Sequence, residues 1–259
     1  MRTLPILVFL PLLAWPLAAQ GDKAQSEKVS AKEAATRLDK AFQQAEAAVK
    51  IEAIGAVGTV ADASVVHALG KGLKDKDQDV VKATIEALRF NPNPAALREL
   101  ESLAKAELQR KGAQSLPLVF RAIGQHGKSS SIDILSKDLF AVKDFQVGRS
   151  RLLALGNIRS KESVEAVIGL MRIAETEKIQ PFMDDFRLTL MVLTGADQGA
   201  SQPLWIRWWN DNKNGLKVAE KPAALPAEQQ KRWDEFWGKA ASAGKDAAPK
   251  DAGQDPTRK

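Results

Sequence analysis

The chain has 259 residues, with 38 Lys and Arg against 32 Asp and Glu, a net charge of +6, and neither cysteine nor tyrosine. That length is ample for a packed core, and a core is what must hold together a chain that has no disulfides. The composition excludes thiol chemistry and thiolate metal sites, two histidines leave little for a histidine-based site, and the interspersed positive charge argues against nucleic acid as a partner.

In chain order, the first element is a secretory signal. Arg2 opens a short n-region, Leu4 to Leu13 is apolar, and the small residues Ala18 and Ala19 precede polar Gln20 and Asp22. The apolar stretch is broken by Pro5, Pro11 and Pro16 and is shorter than a membrane span, so cleavage near Ala19 is expected, with no transmembrane anchor afterwards. The expected address is the periplasm or the extracellular space.

From Val29 to about Asn214 the chain reads as helix after helix, with no strand-like alternation. Start signals recur: Ser30 with Glu33 forms a capping box, and Asp62, Asn93, Ser131 and Ser160 each stand just before a helical run. A helical chain with regular breaks is tested for internal repeats, and the test is positive. Asp77, Val80, Lys82 and Ala87-Leu88 align without a gap on Asp144, Val147, Arg149 and Ala154-Leu155, an offset of two units of roughly 34 residues. The intermediate unit ends at Ala122-Ile123-Gly124, and one unit earlier Ala53-Ile54-Gly55 stands in the corresponding place. The phrase returns weakly at Arg187 with Val192-Leu193, and Ser64-Val65 recurs as Ser163-Val164 in second helices. In the third unit Pro117 replaces the aligned Lys82, which predicts a shifted or kinked helix start.

This pattern, ending in Ala154-Leu155-Gly156, resembles the HEAT-like repeats of phycobilisome-lyase-type and other bacterial HEAT proteins, over about residues 40 to 195. The resemblance implies an all-α solenoid of about five helical hairpins, and it implies little about activity. In such a stack Asp caps the first helix, Val and Ala-Leu face inward, and the Lys or Arg stem lies along the next unit. Hairpins that cannot bury an apolar face alone stack, and the concave side is the usual binding surface. His67, Lys71, Glu165 and Arg172 on second helices are the candidates for that face.

Every tryptophan after Trp15 lies in the last sixty residues or so. Trp205, Trp208 and Trp209 fall at i, i+3 and i+4, and Trp233, Phe236 and Trp237 repeat the spacing, so each set makes one helical stripe. Two matching stripes are expected to pack on each other and cap the solenoid's open end; the alternative is an exposed stacking platform for cell-wall glycan. The segment Pro203 to Asn212 resembles a Trp-rich ending of exported bacterial HEAT-repeat proteins. Residues 215–228, with Pro222 and Pro226, read as a linker to a last short helix.

No catalytic residue, cofactor or metal site is expected. Asp75, Asp77, Asp79 and Glu86 have the spacing of a calcium loop, but Val80 stands where that loop needs glycine, and a helix cap explains the same residues. His126 near Ser129 to Ser131 lacks a nucleophile-elbow pattern. Asp184 and Asp185 are adjacent, so they do not face each other, and their expected role is negative charge in a helix's first turn.

The chain thus divides into a signal peptide at 1–19, a polar segment and helix at 20–49, repeats at 50–200, Trp-rich cap helices at 201–238, and a disordered tail at 239–259. The expected function is that of an exported adaptor or scaffold for a protein or peptide partner, not an enzyme.

Overall fold

A computed structural model describes residues 29–44, 46–110, 114–141 and 143–239. The expected signal peptide at 1–19 and the expected disordered tail from residue 240 lie outside them. The described residues form thirteen α-helices and no strand, arranged as an α-solenoid.

Two rows of helices make the stack. The first row is α2 (Ala47–Val57), α4 (Gln78–Phe90), α6 (Leu116–Gln125), α8 (Phe145–Asn157) and α11 (Met183–Thr194), each packed on the next. The second row is α1 (Ala31–Phe42), α3 (Ala63–Gly72), α5 (Pro94–Leu108), the short α7 (Ile132–Ser136), α9 (Lys161–Ile173) and α12 (Gln202–Asn212). A single turn, α10 (Thr176–Ile179), precedes α11, and α13 (Ala227–Trp237) belongs to neither row. The α12 helix packs on α9 at the end of the second row.

Caps set the helix starts. Ser30 and Glu33 close the capping box, Asp77 accepts from the amides of Asp79 and Val80, and Asp144 accepts from Gln146 and Val147. Asp62, Asn93 and Ser160 cap α3, α5 and α9 in the same way. Ser131 does not: its hydroxyl donates to Glu101 at 2.6 Å, and a 3-10 turn leads into α7 instead. Pro117 has the expected effect, since α6 starts beside it at Leu116 and is 10 residues long where α4 and α8 have 13.

The Ala-Leu-Gly phrase has a packing reason. A Cβ on Gly124 would lie 2.7 Å from the Ala154 Cβ, so the glycine of one unit receives the alanine of a following one and α6 meets α8 at backbone range. The corresponding pair two steps earlier, between α2 and α4, is Gly58 and Ala87, whose Cβ would be 2.8 Å away, whereas a Cβ on Gly55 would meet nothing within 4 Å. The first unit's register is therefore three residues later than Ala53-Ile54-Gly55 suggests. Side-chain caps confirm it: Asn91 Nδ2 donates to Gly58 O at 2.8 Å, and Asn157 Nδ2 donates to Gly124 O at 2.9 Å. Each adds a side-chain donor to a carbonyl at the end of the preceding first-row helix, where Gly124 O also accepts from Gly127 N at 3.0 Å.

The basic residue of the repeat behaves as expected in one unit only. Arg149 reaches Asp185 of the next unit at 3.2 Å, but Lys82 pairs with Asp79 on its own helix and Arg187 pairs with Asp197. Arg151, not predicted, is buried under Phe120 and donates to the carbonyls of Ile134, Leu135 and Lys137, closing the C-terminal end of α7. Burial lowers its pKa to about 10, which leaves it charged at neutral pH.

Candidate partner-binding faces

The two tryptophan stripes do not pack on each other. Trp205 and Trp209 enter the main core beside α9, and Trp205 Nε1 donates to Gly199 O at 2.9 Å, while Trp208 is half-buried and meets Trp205 edge-on. Trp233 and Trp237 join Leu153, Leu188 and Val192 in a separate cluster. So α12 closes the end of the second row, but α13 lies along the flank of the first, over α4, α6, α8 and α11. The expectation of one shared cap fails because the linker carries α13 back past the end of the stack.

That linker is pinned along the way. Arg159 donates to the carbonyls of Ala219 and Lys221 and also to Val192 O at the end of α11, while Leu216, Val218 and Leu225 pack on the core. Midway along α13, Arg232 pairs with Asp185 at 3.1 Å; at its C-terminal end, Arg89 donates to Trp237 O at 2.8 Å and Arg121 to Phe236 O at 3.4 Å. Asp185 is 2% exposed, so it is more than first-turn charge: it anchors both Arg149 and Arg232. Burial pushes its pKa up, against the pull of the two guanidinium groups. With Trp205, Trp209, Trp233 and Trp237 all buried, those rings present no open face to a sugar.

The second row differs. Between α3 and α5 a groove of about 690 Å³ opens, lined by His67, Gly70, Lys71, Leu73, Lys74, Glu99, Ser102, Leu103, Ala106, Glu107 and Arg110. Leu73 and Leu103 are half-buried in its floor, and His67, Lys71, Lys74 and Ser102 are exposed on its walls. Arg110 is held against Glu107 at 3.1 Å, and Lys71 reaches Asp39 of α1 at 2.8 Å. A small surplus of positive charge over an apolar floor is chemistry for a peptide with apolar anchors and an acidic flank.

Of the four second-helix candidates, the structure thus brings together His67 and Lys71. Glu165 and Arg172 lie exposed on α9, two helices further along the row, where Arg172 donates to Asn210 of α12 at 2.8 Å. Sequence reasoning missed Lys74, Leu103 and Arg110, and the signal that could have found them was the longer α5 facing the end of α3.

The remaining candidates for chemistry have structural partners. His126 Nε2 lies 3.1 Å from Leu88 O, and burial lowers its pKa. Of the calcium-like carboxylates, Asp75 pairs with Lys50 at 2.7 Å, Asp77 caps α4, Asp79 pairs with Lys82, and Glu86 holds Arg89 and Arg121. Among the described residues no group of three or more acidic or histidine side chains is placed to hold a metal, and no helix is long and apolar enough to cross a membrane.

No curated protein matches the chain. A family model described as HEAT repeats matches residues 34–116, which covers α1 to α5 and reaches the first residue of α6. HEAT repeats in general are scaffolds for protein interaction, and the two-row stack continues with the same build beyond the matched segment. Residues 34–116, about a third of the chain, are similar to HEAT repeats.

Proposed function

We propose that the protein is an exported adaptor or scaffold of the cell envelope, and that the groove between α3 and α5 receives a segment of its protein partner. The observation that carries this reading is the contrast between faces. On the first row α13 covers Leu153, Leu188 and Val192, while the second row opens between α3 and α5 into a groove with an apolar floor and exposed charges on its rim. Exposed apolar surface framed by polar groups is where solenoids of this kind gain affinity. The export signal at residues 1–19 supports an envelope address.

The test is affinity capture of the tagged chain from envelope extract, beside a Lys71→Glu, Lys74→Glu double variant. Both positions are exposed, so the fold is expected to persist, as circular dichroism would verify. A protein retained by the wild type and lost from the double variant supports the adaptor reading. Recovery of polysaccharide alone, or of a partner held equally by both, contradicts it.

A further inference from the structure

The second row is interrupted at its fourth helix. There α7 has 5 residues, where α5 has 15 and α9 has 13. Lys137 is extended and Asp138 takes a left-handed φ of 53°, so the chain leaves the helix. Arg151 of α8 takes up the carbonyls of Ile134, Leu135 and Lys137 that a further turn would have used. The space a longer helix would fill is a cleft of about 1020 Å³ between the C-terminal half of α5, the start of α6, α7 and the first turns of α8. Its floor is apolar: Leu116 and Val147 are buried, Ile134 is half-buried, and Leu108, 36% exposed, forms the edge.

The same cleft gathers donors for an anion. Arg151 lines it, 1% exposed, with its guanidinium 5.4 Å from the Phe120 ring centroid. Nε and Nη2 are spent on the α7 carbonyls, whereas Nη1 has no acceptor among the described residues, and no carboxylate there is bonded to the guanidinium. Asp138 acts on it only through its field, from an exposed position on the lip. A buried cation without a bonded counter-ion is costly, and its open donor is best met by an oxyanion. One turn before Phe120, α6 begins at Leu116 with no side-chain cap, so the positive end of that helix opens on the cleft as well. Around the rim Glu107 is taken by Arg110, and Asp144 by the first amides of α8. That leaves Lys105, Lys137, Lys143 and Arg151 against Asp133 and Asp138.

We propose that this cleft is a second recognition site and takes the C-terminal end of a protein. The terminal carboxylate meets Arg151 Nη1 and the start of α6, and the last apolar side chains lie on Leu108, Ile134 and Val147. A chain terminus suits the cleft better than a hydrocarbon tail, because the apolar floor is ringed by charges of both signs that can meet peptide groups. The site adjoins the α3–α5 groove at Glu107 and Arg110 but does not require that groove to be filled. It faces the side of α8 that carries Val147 and Arg151, opposite the side that carries Arg149 and Leu153 toward Asp185 and α13.

The test uses the full chain and fluorescein-labelled Gly-Ser-Gly-Ser-Leu-Leu, made once with a free C-terminal carboxylate and once as the amide, with dodecanoate as a third probe. No cellular partner enters the assay, so its outcome is separate from that of the envelope capture. The acid peptide is expected to bind at least about tenfold more tightly than the amide. Arg151→Gln removes that preference, and so does Leu108→Glu at the exposed edge, whereas Lys74→Glu, in the groove but outside the cleft, keeps it. Equal binding of acid and amide, or binding of neither, overturns the proposal. Loss of the preference in Lys74→Glu places the peptide in the α3–α5 groove and also overturns it, as does binding of dodecanoate without the acid peptide, which gives the cleft to a free fatty acid. Should Arg151→Gln fail to fold, Leu108→Glu decides: a preference retained there overturns the site, and a preference lost supports it.

Discussion

The α12 and α13 helices carry nearly the same aromatic pattern and end in different places. Trp205 of α12 is fully buried, its indole N–H bonded, and it belongs to the continuous core that runs through all the hairpins. Trp237 of α13 is also buried, but its indole N–H has no acceptor, and it belongs to a small cluster between a tethered helix and the outside of the first row. Aromatic spacing sets which face of a helix is apolar. What that face meets is decided by connection: the seven residues 195–201 join α11 directly to α12, whereas a proline-bearing linker lets α13 travel back along the flank. The first stripe is a cap and the second is a strap.

This difference can be tested by perturbing each side. Trp205→Ala is expected to cost the whole fold most, about 4 kcal/mol, from lost burial, a cavity and an orphaned Gly199 carbonyl, measured as a cooperative shift in urea denaturation. An equal loss from Trp237→Ala, with α13 melting together with the stack, would erase the distinction. Next comes Asp185→Ala, which leaves Arg149 and Arg232 facing a buried gap; about 3 kcal/mol is expected, with α13 loosened as well, seen as a red shift of the Trp233 and Trp237 emission.

An element remote from both stripes serves as a control. Lys50 and Asp75 pair at 2.7 Å with side chains 11% and 12% exposed, and the hydrogen bond from Lys50 holds the Asp75 carboxyl below the ordinary Asp value. The folded pKa is depressed, so this contribution is fully present above the unfolded Asp pKa and is lost as pH falls through the folded one. Asp75→Asn is expected to cost about 2 kcal/mol at pH 7 and nothing at the acid end of a denaturation series, with no change in α13. The smallest effect is expected of Gly156→Ala. Its Cβ would lie 3.0 Å from the Trp233 ring, so the strap must shift by a few tenths of an ångström, for about 1 kcal/mol. Hydrogen exchange should show that loss in α13 and not in α8.

Much of the stack was legible because its signals are local. Asp77, Asp144, Ser30 with Glu33, and Pro117 act within a turn of where they stand, and the self-alignment carried them across units. The register of the first unit was not, because Gly55 and Gly58 both follow an apolar residue and only contact with Ala87 tells them apart. Nor was the destination of α13: the bond from Arg89 to Trp237 O joins residues 148 apart in sequence, and neither repeat pattern nor aromatic spacing encodes such a pairing. The same holds for the candidate site. His67 and Lys71 were readable as exposed second-helix residues, while the groove that gathers them with Lys74 and Leu103 depends on how α3 and α5 splay.

The account's central claim is that partners engage the open second row rather than the strapped flank. A photo-crosslinking side chain placed at Ser102, exposed in the α3–α5 groove, and in a separate chain at Gln146, exposed at the start of α8, tests it directly in envelope extract. Crosslinking of one protein from position 102 and not from 146 is the predicted result; equal yields from both, or a product from 146 alone, would contradict it.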